Sequence, residues 1–369
     1  IMDHKLIICI DGLGKDFISE EDTPFLYKFG KENYFAELET LFAFTGLEYS
    51  FFSGKSPEKS DVWLEFAKSE SSIFKSFLLR FFSFNKKLRD YFAVALQKLN
   101  GRTWFSSLHN IPSDKLKFFD TCVKQGLWKL DFFQKRNFVF YKWPFFVVKK
   151  NDKEKEKIIF KYEGDRERMG RLAGGGKSDV YYTQLMRVDK VVHKFGKTSE
   201  ETKQALKNMD KLIEEYVGRF FGENKEGNVF LWSDHGFADI KNYIDIEKVL
   251  PKQKDYVYFI AGTTVSFWFK DKKCGDEIKR IFKKIPNVKI LDDKTAKKYK
   301  IPQSQKYGDL IFYVEKGNYF FPNFYQKSNK EKFVSMHGYP DDKELNGFLI
   351  SNKKIPDKIK ISEALKWIK

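Results

Sequence analysis

Three short stretches of this chain are apolar at nearly every position: Leu6-Ile7-Ile8-Cys9-Ile10, Val229-Phe230-Leu231-Trp232 and Phe348-Leu349-Ile350. Runs this short, apolar on both alternating faces, predict strands buried on both sides, as in a parallel sheet. Between them the period changes. Leu206, Met209, Leu212, Ile213, Tyr216 and Val217 recur at helical spacing and predict a helix over 200–220. Asp22-Thr23-Pro24 opens another helix with Phe25, Leu26 and Phe29 on its apolar face and Gly30 near its stop. A strand is predicted at 35–41, and a helix from Thr45 to Phe52 ends at Gly54-Lys55-Ser56-Pro57. Residues 178–196 read as a strand passing into a helix. Strand–helix alternation predicts an α/β fold with a mostly parallel central sheet and helices on both faces. The site of such a sheet lies beyond the carboxyl ends of its strands.

Two segments depart from that pattern. Residues 61–160 are rich in Phe and Lys with mixed helical periodicity (Ile73, Phe74, Phe77, Leu78, Phe81), and read as an inserted cap whose one ligand candidate is His109. Residues 246–332 read as a small α+β lobe, with strands at 257–260, 264–269, 288–291 and 309–314 and a helix at 276–284. The core is then assembled from 1–60, 161–245 and 333–369, and ends on a short helix at 361–368. No internal repeat or low-complexity segment interrupts this order.

Composition narrows the class. At 369 residues, 42% apolar and 32% charged, the chain is long enough for a sizeable core. Forty Phe and seven Trp imply a heavily packed interior or an apolar groove. A net charge of +17 suits an anionic partner, a small phosphorylated molecule among others, but a solvated Lys-rich surface is the preferred reading, because charge bias alone rarely specifies a partner. No nucleic-acid-binding motif is present, and the basic run at 149–155 is broken by acids. Cys9, Cys122 and Cys274 are too scattered for a disulfide framework or a Cys-x-x-Cys knuckle, which fits a reducing compartment. No run reaches the ~18 apolar residues of a membrane span, the 74–84 stretch being broken by Lys75 and Arg80. The first strand leaves no room for a signal peptide, so the expected location is cytoplasmic. The oligomeric state is not legible.

Ionisable residues close the apolar runs. Asp11-Gly12 follows the first, and Asp234-His235-Gly236 follows the second. Asp189 and His193 stand four apart, and His337-Gly338-Tyr339 precedes the last strand. Three Asp and three His are the ligand inventory of two borderline-hard divalent cations such as zinc. Each has a plainer reading: Asp11 as a turn residue, Asp189–His193 as a solvated helix pair, His337 as a surface turn residue, Thr45 as an N-cap. Asp234-His235 has none, because two ionisable groups after a buried strand need partners. A two-metal site also needs a nucleophile, and Thr45-Gly46 at a helix start offers a hydroxyl and backbone N–H donors. His4 and His109 read as ordinary surface residues, and Asp341 and Asp342 as loop charges.

Taken in order, Asp11-Gly12, Thr23-Pro24-Phe25-Leu26, Thr45 with Ser53-Gly54-Lys55-Ser56-Pro57, Asp189-x-x-x-His193-x-x-Gly196, Ser233-Asp234-His235-Gly236 and His337-Gly338-Tyr339 resemble the alkaline phosphatase superfamily, in its type I phosphodiesterase/nucleotide pyrophosphatase branch. The resemblance implies an alkaline phosphatase-like fold and a phosphodiesterase or nucleotide pyrophosphatase acting on a nucleotide or other phosphodiester. It implies two divalent ions, zinc with manganese as the alternative. Asp189, His193 and His337 would hold one; Asp11, Asp234 and His235 would hold the other, with the Thr45 hydroxyl. Thr45 would attack phosphorus to give a phosphothreonine, which water activated at the opposite metal would hydrolyse, and Gly46 would contact the substrate. Three departures stand out. Pro57-Glu58-Lys59-Ser60-Asp61 lacks the usual His-Gly. Thr45 lies nine residues before Gly54 where many members have ten, and the tenth position is Phe44. The phosphate-binding Asn is missing and Glu48 lies nearby; its carboxylate would repel a phosphate unless a cation or proton intervened. Ser50 and Ser53 are alternative nucleophiles. A phosphomonoesterase, a phosphotransferase or a catalytically silent binding protein on the same scaffold are the remaining readings. A sulfatase is disfavoured, because no Cys/Ser-x-Pro-x-Arg sequence is present.

Overall fold

The computed structural model describes residues 4–42, 45–81, 85–159, 161–251, 255–326, 331–340 and 343–369. Phe44, Asp341 and Asp342 lie outside the described residues. Nine strands form one central sheet: β1 (Lys5–Ile10), β2 (Tyr34–Glu39), β3 (Phe138–Lys142), β4 (Phe145–Lys150), β5 (Lys153–Ile158), β6 (Val180–Leu185), β7 (Asn228–Ser233), β8 (Gly347–Ser351) and β9 (Lys358–Lys360). Their order is β9-β2-β8-β7-β1-β6-β3-β4-β5. Seven of the nine run the same way; β4 and β8 run against them. This is the α/β fold with a mostly parallel sheet that strand–helix alternation predicts.

The continuous apolar runs are explained by burial on both faces. Leu6, Ile8 and Ile10 of β1 pack with Met209, Leu212 and Ile213 of one core cluster. Ile7 and Cys9 point the other way, into a second cluster with Phe51, Phe52 and Trp232. The first face is covered by α1 (Pro24–Glu32), α3 (Arg187–Phe195) and α4 (Glu200–Glu223). The second carries α2 (Leu47–Ser53), anchored where the Phe51 ring stacks on Trp232 at 3.9 Å between centroids and Phe52 meets Tyr182 edge-on at 4.8 Å. Such aromatic pairs contribute beyond their buried area.

One expectation about organisation is corrected. Residues 138–158 do not belong to a cap; they form β3, β4 and β5 and extend the central sheet. The signal was masked by lysine. β5 alternates Lys and Glu because it is an exposed edge, where charge discourages pairing with another chain. The remainder of that segment is irregular, with short helices, a longer one at Lys86–Leu99 and a two-stranded ribbon of Phe66–Lys68 and Phe119–Thr121. The expected small lobe contains an antiparallel four-stranded sheet, ordered Tyr256–Ala261, Thr264–Phe269, Leu310–Val314, Val288–Ile290, with a helix at Lys272–Phe282. Among the described residues no helix is long and apolar enough to cross a membrane. All three cysteines are unpaired.

Candidate metal centre

The strand register brings the chemistry to one edge. β1 pairs in parallel with β7, Cys9 opposite Trp232, so Asp11 and Asp234 leave the sheet side by side, two residues on. β1 also pairs with β6, Ile10 opposite Leu185, and α3 begins at Arg187, so Asp189 and His193 rise from the next strand along. His337 follows the two-residue strand Ser335–Met336, which pairs with Ala238–Asp239 just past His235.

At that edge the side chains converge. His235 Nε2 lies 3.5 Å from Asp11 Oδ1 and 3.7 Å from Asp234 Oδ2. His193 Nε2 lies 3.3 Å, and His337 Nε2 4.0 Å, from the same Asp189 oxygen. The rings of His235 and His337 stack at 3.6 Å, and those of His193 and His337 lie 5.2 Å apart. Asp11, Asp234 and His235 offer ligand atoms within 4.8 Å of one another, as do Asp189, His235 and His337. His235 therefore stands at the junction of two triplets, and His193 sits at the outer side of the second.

The surroundings orient these groups. His193 Nδ1 is 2.9 Å from the Ser335 carbonyl and His235 Nδ1 is 3.1 Å from the Gly236 carbonyl. A carbonyl only accepts, so each Nδ1 carries a proton and donates it, which leaves Nε2 as the ring atom facing the cluster. Gln184 Nε2 donates to Asp11 Oδ2 at 2.8 Å, and the Gly12 N–H donates to Asp234 Oδ1 at 3.3 Å.

The electrostatics fit a cation. Burial, then Asp234 and Asp189, push Asp11 up to about 7. Burial pushes His235 down, but Asp234, Asp11 and Asp189 outweigh it and raise the imidazole to about 9. Burial opposes ionisation of Asp189 too, yet His193 and His235 hold it below its ordinary value. Burial, with His235 and His193 beside it, pushes His337 well below its ordinary value. Asp11 and His235 both hold protons more tightly than usual for one reason: clustered buried carboxylates are short of positive charge. Carboxylate and imidazole donors in that condition suit zinc or a similar divalent ion.

The cluster forms one wall of a cavity of about 410 Å³, also lined by Thr45, Gly46, Glu48, Lys142, Trp104 and Gln184. Thr45 Oγ1 is buried, with the Tyr325 hydroxyl near it. Gly46 takes φ +83°, turning the chain into α2. Neither Ser50 nor Ser53 lines the cavity; Ser50 lies on the buried side of α2, and Ser53 Oγ accepts from the Lys55 N–H at 3.3 Å.

Three residues were not foreseen. Lys142, at the end of β3, forms an ion pair with Glu48. The Tyr182 hydroxyl donates to Glu48 Oε1. The cation that a carboxylate here requires is therefore supplied from the stretch read as cap. Burial pulls Lys142 down to about 8, against the pull of Cys9, Asp11 and Asp234. His109 is not an ordinary surface residue: it borders the same cavity, its Nε2 3.2 Å from Glu65 Oε2. His4, by contrast, sits away from the site, its Nδ1 2.8 Å from the Ser178 carbonyl.

The family model described as type I phosphodiesterase / nucleotide pyrophosphatase matches residues 97–340. Among solved structures the chain resembles murine ectonucleotide pyrophosphatase / phosphodiesterase 5, with a TM-score of 0.64 and 12% identity over 99% of this chain and 93% of that one. An inactive variant of the same murine protein in complex with AMP gives the same values. The human protein gives a TM-score of 0.63 and 11% identity over the same shares. No curated protein matches by sequence. At such identities the structural likeness speaks for the fold alone.

Proposed function

This chain belongs to the type I phosphodiesterase / nucleotide pyrophosphatase family, and we propose that it hydrolyses a phosphodiester or pyrophosphate bond in a nucleotide or similar small molecule through a phosphothreonine at Thr45. The observation that carries this reading is the convergence of Asp11, Asp189, Asp234, His193, His235 and His337 in one cavity with Thr45, at the carboxyl edge of the sheet.

Asp189, His193 and His337 would hold one divalent ion, and Asp11, Asp234 and His235 the other, most fittingly zinc. Such ions, when bound, neutralise charge on the phosphoryl oxygens and make an adjacent hydroxyl more acidic. The remaining steps belong to the chain. Thr45 Oγ attacks phosphorus, the leaving alcohol or phosphate departs, and water then cleaves the phosphothreonine to restore Thr45. Gly46, at the entrance of α2, would contact the phosphoryl group. Gln184 and the Gly12 N–H keep Asp11 and Asp234 pointed at the centre. We also propose a cytoplasmic location, supported by the three unpaired cysteines.

Metal analysis together with turnover of bis-p-nitrophenyl phosphate and p-nitrophenyl phosphate tests the reading. Two zinc ions per chain and preference for the diester are expected. Monoester preference would move the protein to the phosphomonoesterase reading, and no turnover at full zinc occupancy would leave a binding protein. Thr45→Ala should keep its zinc and lose at least a thousandfold in turnover; a fully active variant would remove Thr45 as the nucleophile.

A further inference from the structure

Glu48 presents a problem that the fold answers. A carboxylate lines the cavity where a phosphate is to sit, and the metal-binding cluster already contains three others. Lys142 pairs with Glu48, and Tyr182 donates to the same carboxylate, so Glu48 is held from two sides. The three residues come from separate elements that face one another. Tyr141 of β3 pairs with Thr183 of β6, which sets Lys142 level with Gln184 and on the same face as Tyr182, the face that α2 covers. Lys142 thus leaves its strand at the same edge as Asp11 and Asp234.

An ammonium group has three N–H donors. Among the described residues Glu48 is the ion-pair partner of Lys142; Cys9, Asp11 and Asp234 also pull on its charge, and the Trp104 ring lies 5.5 Å from Nζ to the centroid. The side chain is only 15% exposed, and that exposure is to the cavity shared with Thr45. A buried ammonium with donors to spare, lining the same cavity as the proposed hydroxyl nucleophile, is arranged to meet an anionic oxygen.

Resting on the phosphoryl-transfer reading above, we propose that Lys142 binds a non-bridging oxygen of the substrate phosphoryl group, with Glu48 and Tyr182 as the positioning residues that aim it. Glu48 cancels the added charge, so the site gains a donor without gaining net charge. Tyr182 fixes the carboxylate, and the carboxylate fixes the ammonium.

The test uses the full chain loaded with zinc and inorganic phosphate as the probe, with binding followed by calorimetry. Lys142→Met is paired with Glu48→Gln so that no buried carboxylate is left alone. The double variant should keep its zinc and its melting temperature while phosphate binds about 10- to 100-fold more weakly, the loss expected of one charge-assisted hydrogen bond. Glu48→Gln alone, which keeps the ammonium, should lose far less. Unchanged phosphate affinity in the zinc-loaded double variant, or an equal loss in Glu48→Gln alone, overturns the proposal. If the double variant fails to fold, amine acylation of the unmodified protein decides. Saturating phosphate should protect Lys142, read by mass spectrometry, and equal labelling with and without phosphate overturns the proposal. Turnover of bis-p-nitrophenyl phosphate by the unmodified chain reports separately on the hydrolase reading. A chain that holds phosphate through Lys142 but cleaves no diester would refute that reading and leave this one standing.

Discussion

Gly12→Ala is the most informative single substitution, because a methyl group there strikes both the backbone and the proposed metal centre. Gly12 has φ +72°, a conformation that disfavours a side chain by about 1–2 kcal/mol. An added Cβ would stand 2.6 Å from the Phe237 ring and 3.1 Å from both Cα and Cβ of Asp189. Phe237 cannot swing away freely, since it is buried with its centroid 4.8 Å from His193 and 5.5 Å from His235. Overpacking of this kind costs about 1–3 kcal/mol, for a total of about 2–5 kcal/mol. With an unfolding entropy of about 2.1 cal/mol/K per residue, 369 residues give about 0.8 kcal/mol/K, and the melting temperature should fall by about 3–6 °C. Displacement of Asp189 should also lower zinc occupancy. Calorimetry and metal analysis on the same sample read both effects. Gly218→Ala is the control: Gly218 lies inside α4, where a Cβ meets nothing within 4 Å, so it should stabilise by up to about 1 kcal/mol. If Gly12→Ala melted with the unmodified protein at full zinc occupancy, the account of the Gly12 turn as a close-packed hinge of the metal centre would be wrong.

Two other perturbations probe the neighbouring parts. Phe51→Ala removes a fully buried ring stacked on Trp232 and should destabilise by about 3–5 kcal/mol in a urea titration. It should also depress turnover, because α2 carries Thr45-Gly46 at its entrance; a shift under 1 kcal/mol would contradict the packing described. In chelated protein Asp11, pushed up to about 7, keeps a proton that the unfolded chain releases near its ordinary 3.8. The folded state then binds more protons, so that stability is present in acid and is lost as pH rises from about 4 towards 7. The melting temperature of the chelated form should fall between pH 5 and pH 8 and be restored by excess zinc; a form equally stable at both values would refute burial as the cause.

Much of the candidate site was legible because its residues terminate strong local patterns. Asp11 and Asp234 each close a run too apolar to be anything but a buried strand, and Asp189 and His193 share a helix face by spacing alone. Lys142 carries a comparable signal. Phe138-Val139-Phe140-Tyr141 is an apolar run closed by a charged residue, as 5–10 is closed by Asp11. It went unread because Lys-rich neighbours from 149 onward made the segment look like a solvated cap. His109 was missed for a different reason: nothing near it in the chain announces that Glu65 and the cavity will stand beside it.

Periodicity settles what a segment becomes and which face it buries, since both depend on neighbours within a few residues. So the strands, the helices on both sides and the strand-end placement of the acids were written in the order of residues. Which strands lie side by side in the middle of the sheet is set by contacts between residues far apart in the chain. Only the folded sheet could set Asp11 level with Asp234, stack His235 on His337 and bring Lys142 to Glu48. The reason is that a cation and a carboxylate tolerate burial only as partners, and partnership is a property of the packed structure.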